Sequence, residues 1–306
     1  MRFTVAICTW NRAALLGEAL GRLARAQRPA GDWELLVVNN NSTDDTERVL
    51  ETFEGRLPLR RAFEERQGLS HARNAAVKEA GGEYIVWTDD DVFVREGWLA
   101  AYARAVERHP EAAVFGGPIR PRFEGTPPAW LSDTWQEVGP AFAARDLGDE
   151  PFELRVGKLP YGANYVVRAR EQRLFPYDPA LGRVKSGGAL GEETAVIRAI
   201  LAAGGTGWWV PDASVEHWIP KERQTVSYLR SYYALQGRTF HNWDGYGGPT
   251  FRGRPLRLWC RILGAELAHA RARLSGDPHR RLKSLAEASI LRGSTRKEGR
   301  RRKDEG

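Results

Sequence analysis

Apolar residues along the first hundred positions follow two alternating rhythms. Residues 5–8, 35–38 and 84–87 are short unbroken apolar runs of the kind that form buried strands. Between them, Leu16, Leu20 and Leu23 recur at helical spacing. Val49, Leu50 and Phe53 mark a second helix capped by Thr43 or Asp44, and Ala72, Ala76 and Ala80 a third, capped by Ser70 and stopped by Gly81 and Gly82. Strands alternating with helices predict an α/β protein with a mostly parallel sheet, open to ligands at the carboxyl ends of its strands.

From about Gly116 the rhythm breaks. Pro118, Pro121, Pro127 and Pro128 place Trp130 and Trp135 in expected loops, where exposed Trp often meets a ligand. Residues 161–167 return to strand-like sequence, and 181–191, with Arg183 and Lys185 among glycines, read as a mobile loop. Glu192 and Glu193 open a helix through Ala195, Ile197, Ile200 and Leu201 that stops at Gly204 and Gly205. Residues 225–237 and 256–274 read as helices, and no repeat of fixed period is visible.

At 306 residues, 42% hydrophobic and 28% charged, the chain has material for a large globular core. No segment approaches the apolar length of a membrane-spanning helix. Strand-like sequence from Phe3 onward leaves no space for a signal peptide, so the expected location is the cytoplasm. Cys8 and Cys260, expected to be buried and reduced, provide neither a disulfide framework nor a zinc site. The net charge of +7 is uneven. Residues 280–306 hold ten Lys or Arg against four Asp or Glu, so they read as a basic, disordered or surface-bound tail on a nearly neutral body.

Candidate chemistry begins at Asp89, Asp90 and Asp91, directly after the apolar run ending at Trp87. On an extended backbone Asp89 and Asp91 face one way and Asp90 the other. Two readings stand: carboxylates holding a hard divalent cation such as Mg2+ or Mn2+, or a polar turn that starts a helix near Glu96.

Further pieces line up in order around that triplet. They are Val5-Ala6-Ile7-Cys8-Thr9-Trp10-Asn11-Arg12, Leu36-Val37-Val38-Asn39-Asn40-Asn41-Ser42-Thr43-Asp44, Gly68-Leu69-Ser70-His71-Ala72-Arg73-Asn74, and Gly191-Glu192-Glu193. Together they resemble the family 2 glycosyltransferases over roughly residues 3 to 220. The resemblance implies a GT-A fold, a Rossmann-like, mostly parallel sheet flanked by helices, here with a C-terminal helical extension. The resemblance gives a catalytic domain at 1–220; helical spacing beyond it gives a helical extension at 221–279, and the charge count a basic tail at 280–306.

The same resemblance implies a metal-dependent, inverting transfer of a sugar from a nucleotide diphosphate sugar to a hydroxyl of a glycan or lipid-linked acceptor. It assigns Thr9, Asn11, Arg12 and Asn39 to the nucleotide, Arg73 to the neighbourhood of the phosphates, Asp89 and Asp90 to ribose or metal, and Asp91 to the cation. The ion acts as a Lewis acid on the leaving diphosphate. Removing Asp91 is expected to spare folding and abolish turnover. Glu193 takes the place of the catalytic base, while the helix dipole alone accounts for Glu192. The family usually carries Asp where this chain has Asn39, and an amide does not demand uracil as a carboxylate does, which leaves the base open. His217 is a further metal candidate, with a structural histidine as the alternative. Asn164 and Arg168 are expected to border the donor sugar, and Trp208, Trp209 and Trp218 to offer it a ring face or else to pack in the core.

Tyr228, Leu229, Tyr232, Tyr233 and Leu235, followed by the helix at 256–274 with its arginines, form amphipathic faces open to two readings, peripheral contact with an anionic membrane or a packed helical pair. A sugar-phosphate nucleotidyltransferase is disfavoured, because Thr9-Trp10-Asn11-Arg12 replaces the expected Gly-rich phosphate loop. A nucleic-acid-binding protein is suggested by the pI near 9.6, but the basic residues collect in the tail, so no specific nucleic acid is expected. A catalytically silent scaffold sits poorly with intact Asp91 and Glu193.

Overall fold

The computed structural model describes residues 3–27, 32–182, 188–240 and 248–295. Along the chain the strands are β1 (Phe3–Thr9), β2 (Trp33–Asn39), β3 (Leu59–Phe63), β4 (Tyr84–Asp89), β5 (Val92–Val94), β6 (Val114–Gly116), β7 (Ile119–Phe123), β8 (Asn164–Arg168), β9 (Gly207–Trp209), β10 (Val215–Ile219), β11 (Thr250–Phe251) and β12 (Arg254–Pro255). The helices are α1 (Ala13–Leu23), α2 (Thr46–Glu51), α3 (Leu69–Glu79), α4 (Trp98–Arg108), α5 (Ala129–Asp133), α6 (Trp135–Val138), α7 (Ala169–Leu174), α8 (Glu192–Ala202), α9 (Val226–Phe240), α10 (Leu256–Leu274) and α11 (Pro278–Gly293).

The described residues divide into two compact units, one of 1–123 with 142–219 and one of 124–141 with 220–306. The first holds a seven-stranded sheet in the order β3-β2-β1-β4-β8-β6-β9, parallel from β3 through β4, with β8 antiparallel. Its inner strands are apolar on both faces because both are covered. On one side Val5, Ile7, Leu35, Val37 and Val86 pack with Leu16 and Leu20 of α1 and Trp98 and Tyr102 of α4. On the other, Ala6, Leu36, Val38, Ile85 and Trp87 meet Ala72 and Ala76 of α3 and Val196, Ile197 and Ile200 of α8.

Register decides where chemistry can gather. Thr9 stands opposite Asn39, and Cys8 opposite Asp89, so three strand ends finish along one edge of the sheet. A smaller three-stranded sheet, β5-β10-β7, sets His217 opposite Val92, one residue beyond Asp91.

In the second unit, α11 packs against both α9 and α10. Gly237 and Gly293 allow α9 and α11 to cross closely, since a Cβ on either would lie 1.9 Å from the carbonyl oxygen of Ile290 or Ala234. Residues 124–141 belong to this unit, and Trp130 and Trp135 lie in the short helices α5 and α6 instead of loops.

Several expectations are corrected. The basic segment begins as helix, because Asp277 caps α11 by accepting from the His279 and Arg280 amides. Residues 296–306 lie outside the described part. Cys260 is exposed and Cys8 half-buried. Asp45 and Gly68 occupy the cap positions of α2 and α3 without a side-chain capping bond; of the expected caps, Asp44 Oδ1 does accept from Thr46 N at 3.2 Å, whereas the Ser70 hydroxyl donates to the Leu181 carbonyl at 2.8 Å. Among the described residues, no helix is long and apolar enough to cross a membrane.

Candidate active site

The strand expected to carry the acidic triplet stops two residues short of the triplet's end. β4 ends at Asp89, and Asp90 and Asp91 occupy the turn into β5, which changes which carboxylates converge. Arg12 Nη1 donates to Asp90 Oδ1 and Asp91 Oδ2, each at 2.8 Å, so it is Asp90 and Asp91 that face a common partner. Thr9 Oγ1 donates to the other Asp90 oxygen at 2.8 Å. Burial pushes the Asp90 carboxyl up to about 6, opposed by Arg12 and assisted by Asp91.

Asp89 turns toward Arg73, whose Nη2 lies 3.6 Å from its Oδ1. The Arg73 side chain is 3% exposed, with Nη1 donating to Glu192 Oε1 at 3.1 Å and Nη2 to the Gly162 carbonyl at 3.3 Å. Its guanidinium carbon lies 5.8 Å and 5.4 Å from the ring centres of Trp87 and Tyr177. Burial works against its charge, and Tyr165, Glu192, Tyr177 and Asp89 outweigh it. Arg73 thus joins the end of β4 to the start of α8.

Glu193 sits beside that junction. A Cβ on Gly162 would fall 2.9 Å from Arg73 Nη2 and 3.4 Å from the Glu193 carboxyl carbon, so only glycine fits between them without displacement. The Glu193 carboxyl, half-buried, is raised to about 7 by burial first and by Glu192 next, with Arg73 opposing. A carboxyl near neutrality is suited to exchange a proton at physiological pH.

His217 is buried beneath Asp91. Its Nδ1 donates to the Phe142 carbonyl at 2.8 Å, which turns Nε2 toward Asp91 Oδ1, 3.5 Å away. A backbone bond from Trp218 N to Asp91 O, 2.9 Å, fixes the register. An imidazole nitrogen beside a carboxylate fits a divalent ion that takes its remaining ligands from phosphate oxygens and water. Among the described residues no group of three or more His, Cys, Asp or Glu side chains forms a ready-made cage.

The loops after β1 and β2 are tied together. Asn11, at φ 52°, accepts at Oδ1 from Thr43 N at 2.7 Å, its own N–H meets Ser42 Oγ at 3.0 Å, and Ala13 N donates to Asp44 Oδ2 at 2.9 Å. Asn39, 3% exposed, accepts from Ser42 N at 2.8 Å and donates to Glu47 Oε1 at 2.6 Å.

Other expected site residues lie elsewhere. Asn164 is fully buried: Trp98 Nε1 and Tyr102 OH donate to its Oδ1, both at 2.8 Å, and its Nδ2 donates to the Pro118 and Ala213 carbonyls, which fills its capacity. Arg168 stands opposite Tyr84 at the far end of β4, donating to Tyr84 OH and the Ala112 carbonyl. Trp208 stacks on His109 with ring centres 3.8 Å apart, and buried Trp209 donates to the Gly148 carbonyl at 2.9 Å. Trp218 packs on Phe93. These residues build the scaffold and do not line the carboxylate cluster. Arg183 and Lys185 lie outside the described residues. Glu192 and Gly162 are members of the cluster that sequence reasoning missed, for a first-turn acid and an isolated glycine both have ordinary explanations.

Comparison with known proteins places these features in context. The family model for Glycosyl transferase family 2 matches residues 4–159. The succinoglycan biosynthesis protein ExoM of Rhizobium meliloti is 26% identical over 243 residues, covering 78% of this chain and 74% of that protein. The poly(ribitol-phosphate) beta-N-acetylglucosaminyltransferase TarS of Staphylococcus aureus is 28% identical over 140 residues, 45% of this chain; the match spans 24% of TarS, about a quarter of its length. The structure of TarS 1–349 in complex with UDP matches 96% of this chain and 91% of its own with a TM-score of 0.57 at 16% identity. The mannosyltransferase PcManGT from Pyrobaculum calidifontis, in complex with GDP-Man and Mn2+, matches 96% and 86% with a TM-score of 0.63 at 18% identity.

Proposed function

Given that the chain belongs to glycosyltransferase family 2, we propose that it transfers a sugar, with inversion and with a divalent cation, from a nucleotide diphosphate donor to a hydroxyl of a glycan or lipid-linked acceptor. The observation that carries this reading is Arg73, which draws the Asp89 end of the sheet and the Glu192–Glu193 start of α8 into one cluster. A metal side and a base side within one cleft are what a single displacement at an anomeric carbon requires.

In this reading Thr9, Asn11, Arg12 and Asn39 border the nucleotide, at the strand ends where open sheets bind ligands. Asp91 and the Nε2 of His217 hold the cation, with Asp89 and Asp90 adjacent. Mn2+ suits the imidazole better than Mg2+ does. When bound, the ion neutralises charge on the departing diphosphate. Glu193 accepts the proton of the acceptor hydroxyl as its oxygen bonds to the anomeric carbon; the carbon–oxygen bond to the diphosphate breaks with its electron pair, and the nucleoside diphosphate departs. Glu192 pairs with Arg73 at 3.1 Å, and its position beside Glu193 adds to the burial that keeps the Glu193 proton affinity high.

Supporting the donor class, TarS binds UDP and PcManGT binds GDP-Man with Mn2+ in the structures matched. The test is a thermal-shift panel of UDP, GDP, ADP and CDP with and without Mn2+, followed by nucleotide-release assays with the sugar donors of whichever base binds. A metal-dependent shift with one base supports the reading; no shift and no release with any donor ends it.

A further inference from the structure

α10 carries a second apolar face that packing within its own unit does not use. Leu258, Ile262 and Ala265 point inward and form a core with Ala288 and Leu291 of α11. That inward stripe already meets what a surface helix needs. Yet Leu256, Leu263, Leu267 and Leu274 stand exposed by 41%, 62%, 52% and 89%. Their spacings of seven, four and seven residues put them within about 40° of one line along the helix, over about 27 Å. Phe251, 52% exposed, continues the strip before the helix, its ring edge-on to Trp259. A continuous exposed apolar stripe of this kind marks an interaction surface, unlike singly scattered leucines.

Charge selects the occupant. The stripe is bordered by exposed Arg257 and Arg271, and the one acid of α10, Glu266, pairs with Arg292 of α11. Residues 220–306 hold twenty Lys or Arg against eight Asp or Glu. A second copy docked two-fold on the stripe would bring arginine rows face to face, a like-charge contact that opposes pairing. An anionic bilayer accepts both parts, leucines into the acyl boundary and guanidinium groups among phosphates. The Tyr228-to-Leu235 stretch offers no such face, since Leu229 is buried and Tyr228 OH donates to the Ala141 carbonyl.

We propose that α10 lies in the headgroup region of an anionic membrane, with Leu256, Leu263, Leu267 and Leu274 inserted and Arg257 and Arg271 on lipid phosphates. This inference stands apart from the proposed reaction, and binding, not turnover, is its readout. The experiment is flotation of the full chain with phosphatidylcholine vesicles, with and without phosphatidylglycerol, at low and high salt. Wild type is expected to float with the anionic vesicles alone and to be released in part by salt. Leu263→Ser with Leu267→Ser, exposed and so compatible with folding, is expected to weaken that partition about tenfold or more while leaving the circular dichroism unchanged. Arg257→Gln with Arg271→Gln is expected to weaken it by a similar factor and to flatten the salt response. Equal flotation of wild type and the leucine variant would assign binding to the basic segments and overturn the proposal. Failure of wild type to float would overturn it too, as would a leucine-dependent dimer in sedimentation without vesicle binding.

Discussion

Arg73 and Glu192, 119 positions apart in sequence, meet at 3.1 Å in the interior of the first unit. The pair ties α3 to α8 and places Asp89 on its other side. Replacing Arg73 with Met leaves two carboxylates uncompensated, and the expected cost is about 3–5 kcal/mol of stability by urea unfolding. Arg73→Lys keeps the charge without the planar fork and should fall between. A Met variant as stable as wild type would show the pair to be dispensable.

Glu193→Gln should lower kcat by about a hundred to ten thousandfold in a nucleotide-release assay. Wild-type activity should rise with pH through about 7, as the raised carboxyl ionises, and the variant's residual activity should lose that limb. Stability carries the opposite sign. The folded chain keeps this proton to about 7 whereas an unfolded carboxyl releases it near 4.5, so between those values rising pH lowers wild-type stability. The variant should lack that decline, and an identical pH–stability curve would contradict the assignment.

Asn39 and Glu47 form a pair in which only an amide fits beside the carboxylate, the nitrogen-to-oxygen distance being 2.6 Å. Asn39→Asp would set two carboxylates together, costing about 1–3 kcal/mol at about pH 8 and less as pH falls and one takes up a proton. Adding Glu47→Gln should restore most of the loss. Chemical denaturation of the single and double variants over pH measures both, and unchanged stability of the Asn39→Asp variant at alkaline pH would count against the pairing.

His217→Phe should weaken the Mn2+-dependent part of the nucleotide thermal shift, reducing apparent metal affinity by at least about tenfold, beside a loss of about 1–3 kcal/mol in metal-free stability from the orphaned Phe142 carbonyl. Asp91→Asn should reduce the metal affinity likewise. A full metal response in either variant would remove it from the cation site.

Gly293→Ala directs a methyl group at the Ala234 carbonyl, 1.9 Å away, and must part α9 from α11. Expected destabilisation is about 1–3 kcal/mol. Gly264→Ala, on an open part of α10, is the matched control and should stabilise slightly.

The parallel sheet was legible in advance because β1, β2 and β4 are apolar on both faces and bounded by helices with clear spacing. β3 was not, since its Arg60 and Arg61 are solvent-facing and an edge strand needs little apolar pattern. β5 is three residues long, too short for a period to register. At the candidate site, the ordered motifs singled out Arg12, Asp90, Asp91 and Glu193, because these are local features of strand and helix ends. Asn164 misled because a polar residue at a strand start looks the same whether it faces a ligand or is enclosed by Trp98 and Tyr102. Glu192 was passed over for the converse reason: the helix dipole accounts for an acid there, and its distant arginine leaves no trace in nearby sequence.

The stitching of the two loops by Asn11 has a consequence for how this cleft can evolve. With Thr43, Ser42 and Asp44 all hydrogen-bonded to the segment around Asn11, the loops after β1 and β2 are cross-braced, so a substitution that frees one loosens the other. Under the proposed reading, libraries that aim at another donor should keep these bracing residues and vary their neighbours.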